Sequence, residues 1–274
     1  MHGIAYNPVL DEIVVPNPLA AAILVFRGGA NGSEVPIRVI QGPHTKLVFP
    51  HSVSLDVQNK EILIGDQRGK GVLVYPWDAN GDVAPVRMIK GPKTKLEYVI
   101  GVAVDPVRNL LVAASISYTS KTAQSGLFIF GRTDTGDVAP QAIISGPKTG
   151  IVEAPWQLQV KDGKIFVAVS NFRYVAAYDL DTPRTGLTEV PPSPWCSDTL
   201  GFIGIWDITD NGDIPPKAII RGPISQLVHP AGVTLNAKDG EIIVADSVRN
   251  GVFTFWVPEF LRKIDSKPET RKQQ

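Results

Sequence analysis

Cysteine is nearly absent from this sequence. The chain has one, Cys196, among 274 residues, so no internal disulfide is available and the redox compartment stays open. Neither sign of charge is in excess: 27 basic residues offset 27 acidic ones. That removes the phosphate attraction on which nucleic-acid binders depend, and no nucleic-acid partner is expected. No apolar run is long enough to span a bilayer, and Met1 leads into the first repeat without a charged and apolar leader. No membrane span and no signal peptide are therefore expected, and the chain reads as soluble. Histidine is scarce, at four residues, and no nucleophile motif or metal-ligand spacing accompanies it. Cys196 lies in a Pro-rich stretch with no adjacent His to activate it, so a nucleophilic role is not expected.

What is present is repetition. From His51 to Val99 the sequence runs HSVSLDVQNKEILIGDQRGKGVLVYPWDANGDVAPVRMIKGPKTKLEYV, four short apolar runs separated by Gly, Asp, Asn and Pro. Four runs of this kind read as a four-stranded antiparallel sheet. The same order of signals begins near His2, Ile100, Trp156 and Ala231, a spacing of about 50 residues that marks an array or propeller. With 43% hydrophobic residues the chain can bury a sizeable core. The expected fold is an all-β propeller of four-stranded antiparallel blades, one domain over residues 1–264. Its blades cover about 2–43, 51–92, 100–147, 156–223 and 231–264, with a polar tail at 265–274. Five blades are counted, six if one lies outside this chain.

Naming the strands of each blade A to D from the axis outward, strand A alternates small with large. Ser52 and Ser54 flank Val53, and Gly101 and Ala103 flank Val102. One small face suits inner strands that converge on an axis, although alternation is also ordinary strand patterning. In the first blade, A is expected at His2–Asn7 and D at Pro36–Ile40. The last blade is the weak one: Phe260 to Ile264 is the run left to supply its outer strand, and the usual Gly-Pro marker is missing. The turns around Asn80-Gly81-Asp82, Thr135-Gly136-Asp137 and Asn211-Gly212-Asp213 combine calcium-loop residue types. Their spacing fits a tight turn between strands C and D instead.

The progression Pro50-His51-Ser52-Val53-Ser54-Leu55-Asp56, then Glu61 to Asp66, then Gly71 to Tyr75 resembles the NHL repeat. Its closest copy runs from Pro230 to Leu235, then Glu241 to Asp246, then Asn250-Gly251-Val252. The resemblance covers nearly the whole chain and implies a propeller. It does not imply one activity, because NHL-like propellers include protein and RNA interaction modules, and related ones include lyases and lactonase-type enzymes.

In an up-and-down blade the D-to-A and B-to-C connections share one face. On that face fall all four histidines and two insertions, at residues 115–125 and 171–200. His2 and His51 open strand A in their blades, where Ile100 and Trp156 stand in others. Asn17, Asp66 and Asp246 end strand B in three blades, against Ala114 and Val169 in the other two. The expected ligand-binding set is therefore His2, Asn17, His51, Asp66, Trp156 and Asp246, with Tyr118, Tyr174 and Trp195 closing over from the insertions. Such a mixture suits a mostly apolar small molecule or a peptide or protein partner with a polar handle. Asp66 and Asp246 have a second reading, as carboxylates that bond the following turn. His2 and His51 have two readings as well. They cap strands, or they bind a divalent transition metal such as zinc, a set that resembles the axial histidine sites of lyase-type propellers. Two functions follow: a binding scaffold using the inserted face, or a metal-assisted lyase or hydrolase at the channel mouth.

Overall fold

The computed structural model describes residues 3–117, 125–151, 154–170 and 201–261. They form five antiparallel sheets of a β-propeller. Blade one holds β1 (Ala5–Asn7), β2 (Glu12–Asn17), β3 (Ala22–Arg27) and β4 (Arg38–Gln41), and blade two β5 (Pro50–Asp56), β6 (Glu61–Asp66), β7 (Gly71–Pro76) and β8 (Arg87–Lys90). Blade three holds β9 (Tyr98–Asp105), β10 (Leu110–Ile116), β11 (Gly126–Gly131) and β12 (Ala142–Ile144), and blade four β13 (Ala154–Lys161), β14 (Lys164–Ser170), β15 (Phe202–Asp207) and β16 (Ala218–Ile220). Blade five has three strands among the described residues, β17 (Pro230–Asn236), β18 (Glu241–Asp246) and β19 (Gly251–Trp256).

The sequence explains these elements. Runs rich in Val, Ile and aromatics favour the pleated conformation, and left-handed residues such as Lys60 (φ 59°) and Asn109 (φ 57°) close the turns between strands A and B. Two strand ends differ from expectation: β1 begins at Ala5 and β4 covers Arg38–Gln41. Phe260 and Leu261 do not extend as a strand. They belong to a helical turn, α1 (Pro258–Leu261), and Leu261 is buried with residues of blades four and five.

The core lies between blades. Val14, Ile23, Val25 and Ile40 of blade one meet Ile62, Ile64, Leu73 and Tyr75 of blade two, and similar clusters join two to three, three to four and four to five. Blades five and one share no such cluster among the described residues. The repeat shows what is missing there. Blade two presents Ile62, Ile64, Leu73 and Tyr75 to its neighbour, all at 2% exposure or less, whereas of the equivalents in blade one Ile13, Leu24 and Phe26 are half-buried and Val15 alone is buried, at 7%. Across the gap Val252 is 70% exposed, although its repeat equivalent, Val72, is 0% exposed.

A second device joins neighbouring blades. The C-to-D turn of each of blades two, three and four reaches back to the outer strand of the blade before it. Gly81 donates to the Val39 carbonyl (2.7 Å) and accepts from Gln41 (3.1 Å). Gly136 does the same with Met88 and Lys90, and Gly212 with Ile143 and Ser145. The following Asp then accepts a backbone N–H beyond the outer strand: Asp82 from His44, Asp137 from Lys93 and Asp213 from Lys148, each at 2.7 Å. The N-G-D and T-G-D turns are thus inter-blade hooks. Each Asp packs against a glycine of the outer strand's Gly-Pro corner. At Gly91, with φ 138°, an added Cβ would stand 2.4 Å from Asp137 Oδ1.

Candidate functional site

Every described inner strand except β1 carries a bulge at its first turn toward the axis. In β5, Pro50 pairs Asp66 and Ser52 pairs Gly65, leaving His51 as the extra residue. Ile100 is the extra residue in β9 and Ala231 in β17, and in β13 the irregularity spans Trp156 and Gln157. A bulge re-aims its side chain out of the pleat. Here it aims His51, Ile100 and Trp156 at one place, the channel mouth on the D-to-A and B-to-C face.

His51 is buried, at 2% exposure. Its Nδ1 lies 2.9 Å from the carbonyl oxygen of Ile100, and its ring stacks on Trp156 with centroids 6.0 Å apart at 24°. On the other side of Trp156 stands His229, centroids 5.8 Å apart. The indole N–H of Trp156 donates to Ser170 Oγ, which stands 3.2 Å from His229 Nε2. Ser247 Oγ lies 2.8 Å from His229 Nδ1 and donates to the His229 carbonyl. Both ring nitrogens of His229 are thus paired with a serine hydroxyl, each of which can donate or accept. Burial pushes the His229 pKa below its ordinary value, the nearby Asp246 charge acting in the opposite sense. The imidazole is neutral at pH 7.

The carboxylates expected to face a ligand are turned into the protein. Asp66 accepts from Val48 and Phe49 (2.7 Å each) and Gly69 (3.1 Å). Asp246 accepts from Val228, His229, Val248 and Arg249. Asn17 caps a short turn by accepting from Ala20. The observed register gives Ser115, not Ala114, as the blade-three equivalent of Asp66, since Ser115 pairs Val99 as Asp66 pairs Pro50. Its hydroxyl accepts from Glu97 (3.0 Å), just as Asp66 accepts from Val48. His44 stands at the outer rim beside Asp82, 2.6 Å away.

His2, Tyr118, Tyr174 and Trp195 lie outside the described residues, as do Cys196, the whole 171–200 insertion and most of the 115–125 insertion. Among the described residues no group of three or more His, Cys, Asp or Glu is placed to hold a metal ion. The expected zinc pairing of His2 with His51 rests on His2, and the Nδ1 of His51 already lies against Ile100. His229, Ser170 and Ser247 join the cluster without having been in the expected set. Ser170 and Ser247 follow the strand-B end position of successive repeats, a spacing readable from sequence once that register is known.

Beneath this aromatic plug lies a cavity of about 550 Å³. It follows the axis past Ser52, Gly101 and Leu158 and opens into the under-packed gap between blades five and one, where Ile4, Tyr6 and Ile13 face Ile243, Ala245 and Val252. Aliphatic side chains dominate its wall, and Tyr6, Ser52, Gln157, Gln159 and Thr234 add polar groups. The small residues of strand A make the axial part possible. At Gly101 an added Cβ would stand 2.4 Å from the carbonyl oxygen of Trp156.

No protein-family model and no curated protein matches this sequence. The fold does match solved structures. The chain is similar to the WD40 β-propeller domain of Doa1 (TM-score 0.52, 11% identity, covering 93% of this chain and 68% of that one). It is also similar to the Kuenenia stuttgartiensis hydrazine synthase (0.54, 10%, 89% and 54%) and to a chain of a nidogen/laminin complex (0.55, 13%, 94% and 80%). It spans about half of the hydrazine synthase chain. At these identities the likeness is of fold: the chain is a β-propeller. Among the described residues no helix is long and apolar enough to cross a membrane.

Proposed function

We propose that this propeller is a binding scaffold whose ligand is a small, mostly apolar molecule with one or two polar groups, held in the axial cavity and entering through the gap between blades five and one. The observation that carries this reading is the cavity of about 550 Å³, within the size range of small-molecule sites. Its wall, aliphatic with a few hydroxyl and amide groups, supports the polarity of the ligand. A rigid ring of sheets pre-forms such a site, so little ordering entropy is spent on binding. The Trp156, His51 and His229 cluster closes the axial mouth on the face of the two insertions, which leaves the lateral gap as the described way in. We infer that the repeat is NHL-like from its strand order, and a role in partner binding agrees with a fold that one structural neighbour presents in a protein complex.

The test is a thermal-shift screen of apolar carboxylic acids, alcohols and amides against the protein and against Thr234→Trp, which fills the cavity from an exposed position. Compounds that raise the midpoint of the parent and not of the filled variant support the reading. Compounds that act equally on both, or none that act, overturn it.

A further inference from the structure

The inter-blade hook occurs three times with both halves in place. Each half also occurs once alone, among the described residues. The C-to-D turn of blade one, Asn31-Gly32-Ser33, carries the Asn-Gly part of the hook with Ser33 in place of its Asp, and Gly32 has the left-handed φ of 60° seen at Gly81 (74°), Gly136 (80°) and Gly212 (87°). Yet Asn31 bonds within its own turn, to Glu34, and among the described residues Gly32 makes none of the bonds to a neighbouring blade that Gly81, Gly136 and Gly212 make. By the repeat, the strand that this hook would hold is the outer strand of blade five. No such strand stands there among the described residues: β19 pairs β18 and forms the edge of a three-stranded sheet. A strand position that no described residue fills is therefore bordered on one side by that edge and on the other by an unused turn. The other solitary half is β16, whose corner glycine, Gly222, has no described atom near its Cβ position.

We propose that the edge of β19 and the Asn31-Gly32 hook form an acceptor for a β-strand of another polypeptide. The chemistry of that strand is set out by the four outer strands already in the molecule. Each reads aliphatic-Ile-x-Gly-Pro: Val39-Ile40-Gln41-Gly42-Pro43, Met88-Ile89-Lys90-Gly91-Pro92, Ile143-Ile144-Ser145-Gly146-Pro147 and Ile219-Ile220-Arg221-Gly222-Pro223. In the first three the central Ile is at most 1% exposed, opposite the second residue of strand C or its equivalent, Ile23, Val72 and Leu127. The same register sets the incoming Ile opposite Val252. Main-chain bonds along β19 supply affinity, and the Ile pocket and the glycine corner supply selection. A second folded copy of this chain is not the occupant, because each of its described outer strands is engaged in its own sheet. The acceptor follows the outer edge of β19 and meets the cavity at Val252, which lines both.

The test uses the full chain and a fluorescein-labelled peptide of residues 85–96, the outer strand and corner of blade two, read by anisotropy. Saturable binding is expected, weakened about ten-fold or more when the peptide's Ile89 becomes Asp. It should weaken similarly in the protein variants Val252→Lys and Asn31→Ala, whose exposed positions leave the fold intact by circular dichroism. Binding that is equal for the Ile89→Asp peptide, or unchanged in both protein variants, overturns the proposal. So does no binding, or a dimer mass by light scattering that buries the edge without peptide. Because Thr234→Trp fills the cavity alone, peptide binding should survive it, which separates failure here from failure of the cavity reading.

Discussion

Replacing Gly91 with Ala tests the hook directly. Gly91 has φ 138° and ψ 171°, a region essentially closed to residues with a Cβ, and occupying it costs about 1–3 kcal/mol. The new Cβ would also stand 2.4 Å from Asp137 Oδ1. The carboxylate must retreat from the Lys93 N–H that it holds at 2.7 Å, and losing a hydrogen bond to a charged group adds about 1.5–3 kcal/mol. The expected loss is about 3–6 kcal/mol. Gly222 is the built-in control. It occupies the same corner of blade four, at φ 96°, with no described atom within 4 Å of its Cβ position, so Gly222→Ala should cost only the backbone part, about 1–3 kcal/mol. Urea unfolding followed by tryptophan fluorescence measures both. In the double variant Gly91→Ala/Asp137→Ala the clash is gone, and the two losses should sum to less than the separate values. Equal losses for Gly91→Ala and Gly222→Ala, or strict additivity in the double variant, would refute the hook as an energetic link between blades.

Three more outcomes follow from the same geometry. His229 is held neutral by burial, while the unfolded chain titrates near the ordinary histidine value of about 6.5; below that pH the unfolded state binds more protons, so stability should fall as pH drops through about 6.5, level off below the folded pKa and be flat above. In His229→Gln that slope should shrink, read as unfolding midpoints between pH 5 and 8. Asp246→Ala strands four backbone N–H groups that it now satisfies and should cost about 3 kcal/mol or more, whereas the exposed Asp239→Ala should cost under about 0.5 kcal/mol. Val72→Lys buries a charge between packed blades and should unfold the protein at ambient temperature, while Val252→Lys at the equivalent place in the gap should shift the thermal midpoint by no more than a few degrees.

The blades were legible because their signals are local. Alternating Val, Ile and aromatic runs, Gly-Pro corners and Asn-Gly turns each report on a few neighbouring residues, and their recurrence gave the propeller. The hooks were half legible: Asn80-Gly81-Asp82 reads correctly as a turn, but nothing in it says that it clasps Val39 and Gln41 of the blade before. The mouth was legible as a face and not as a cluster. His51 and Trp156 meet because bulges turn them inward, and a bulge shifts register by one residue without a compositional mark. Ser115 was hidden behind Ala114 because it is not an acid like Asp66 and Asp246, although it follows Asp105 at the spacing of Asp66 from Asp56. The gap between blades five and one was invisible, because Val252 is as apolar as the buried Val72 to which it corresponds. Only the absence of a packed neighbour among the described residues, which no local pattern records, leaves it exposed.

The most direct measurement of the central claim is thiol accessibility at the gap. In a Cys196→Ser background, Val252→Cys and Val72→Cys place one thiol at equivalent positions, one in the gap and one between packed blades. A maleimide should label Val252→Cys nearly as fast as a free thiol, Val72→Cys only as fast as the protein opens, and a ligand found in the screen should slow the first reaction alone. Equal protection of the two thiols, or a ligand that leaves the Val252→Cys rate unchanged, would contradict an open, ligand-binding gap.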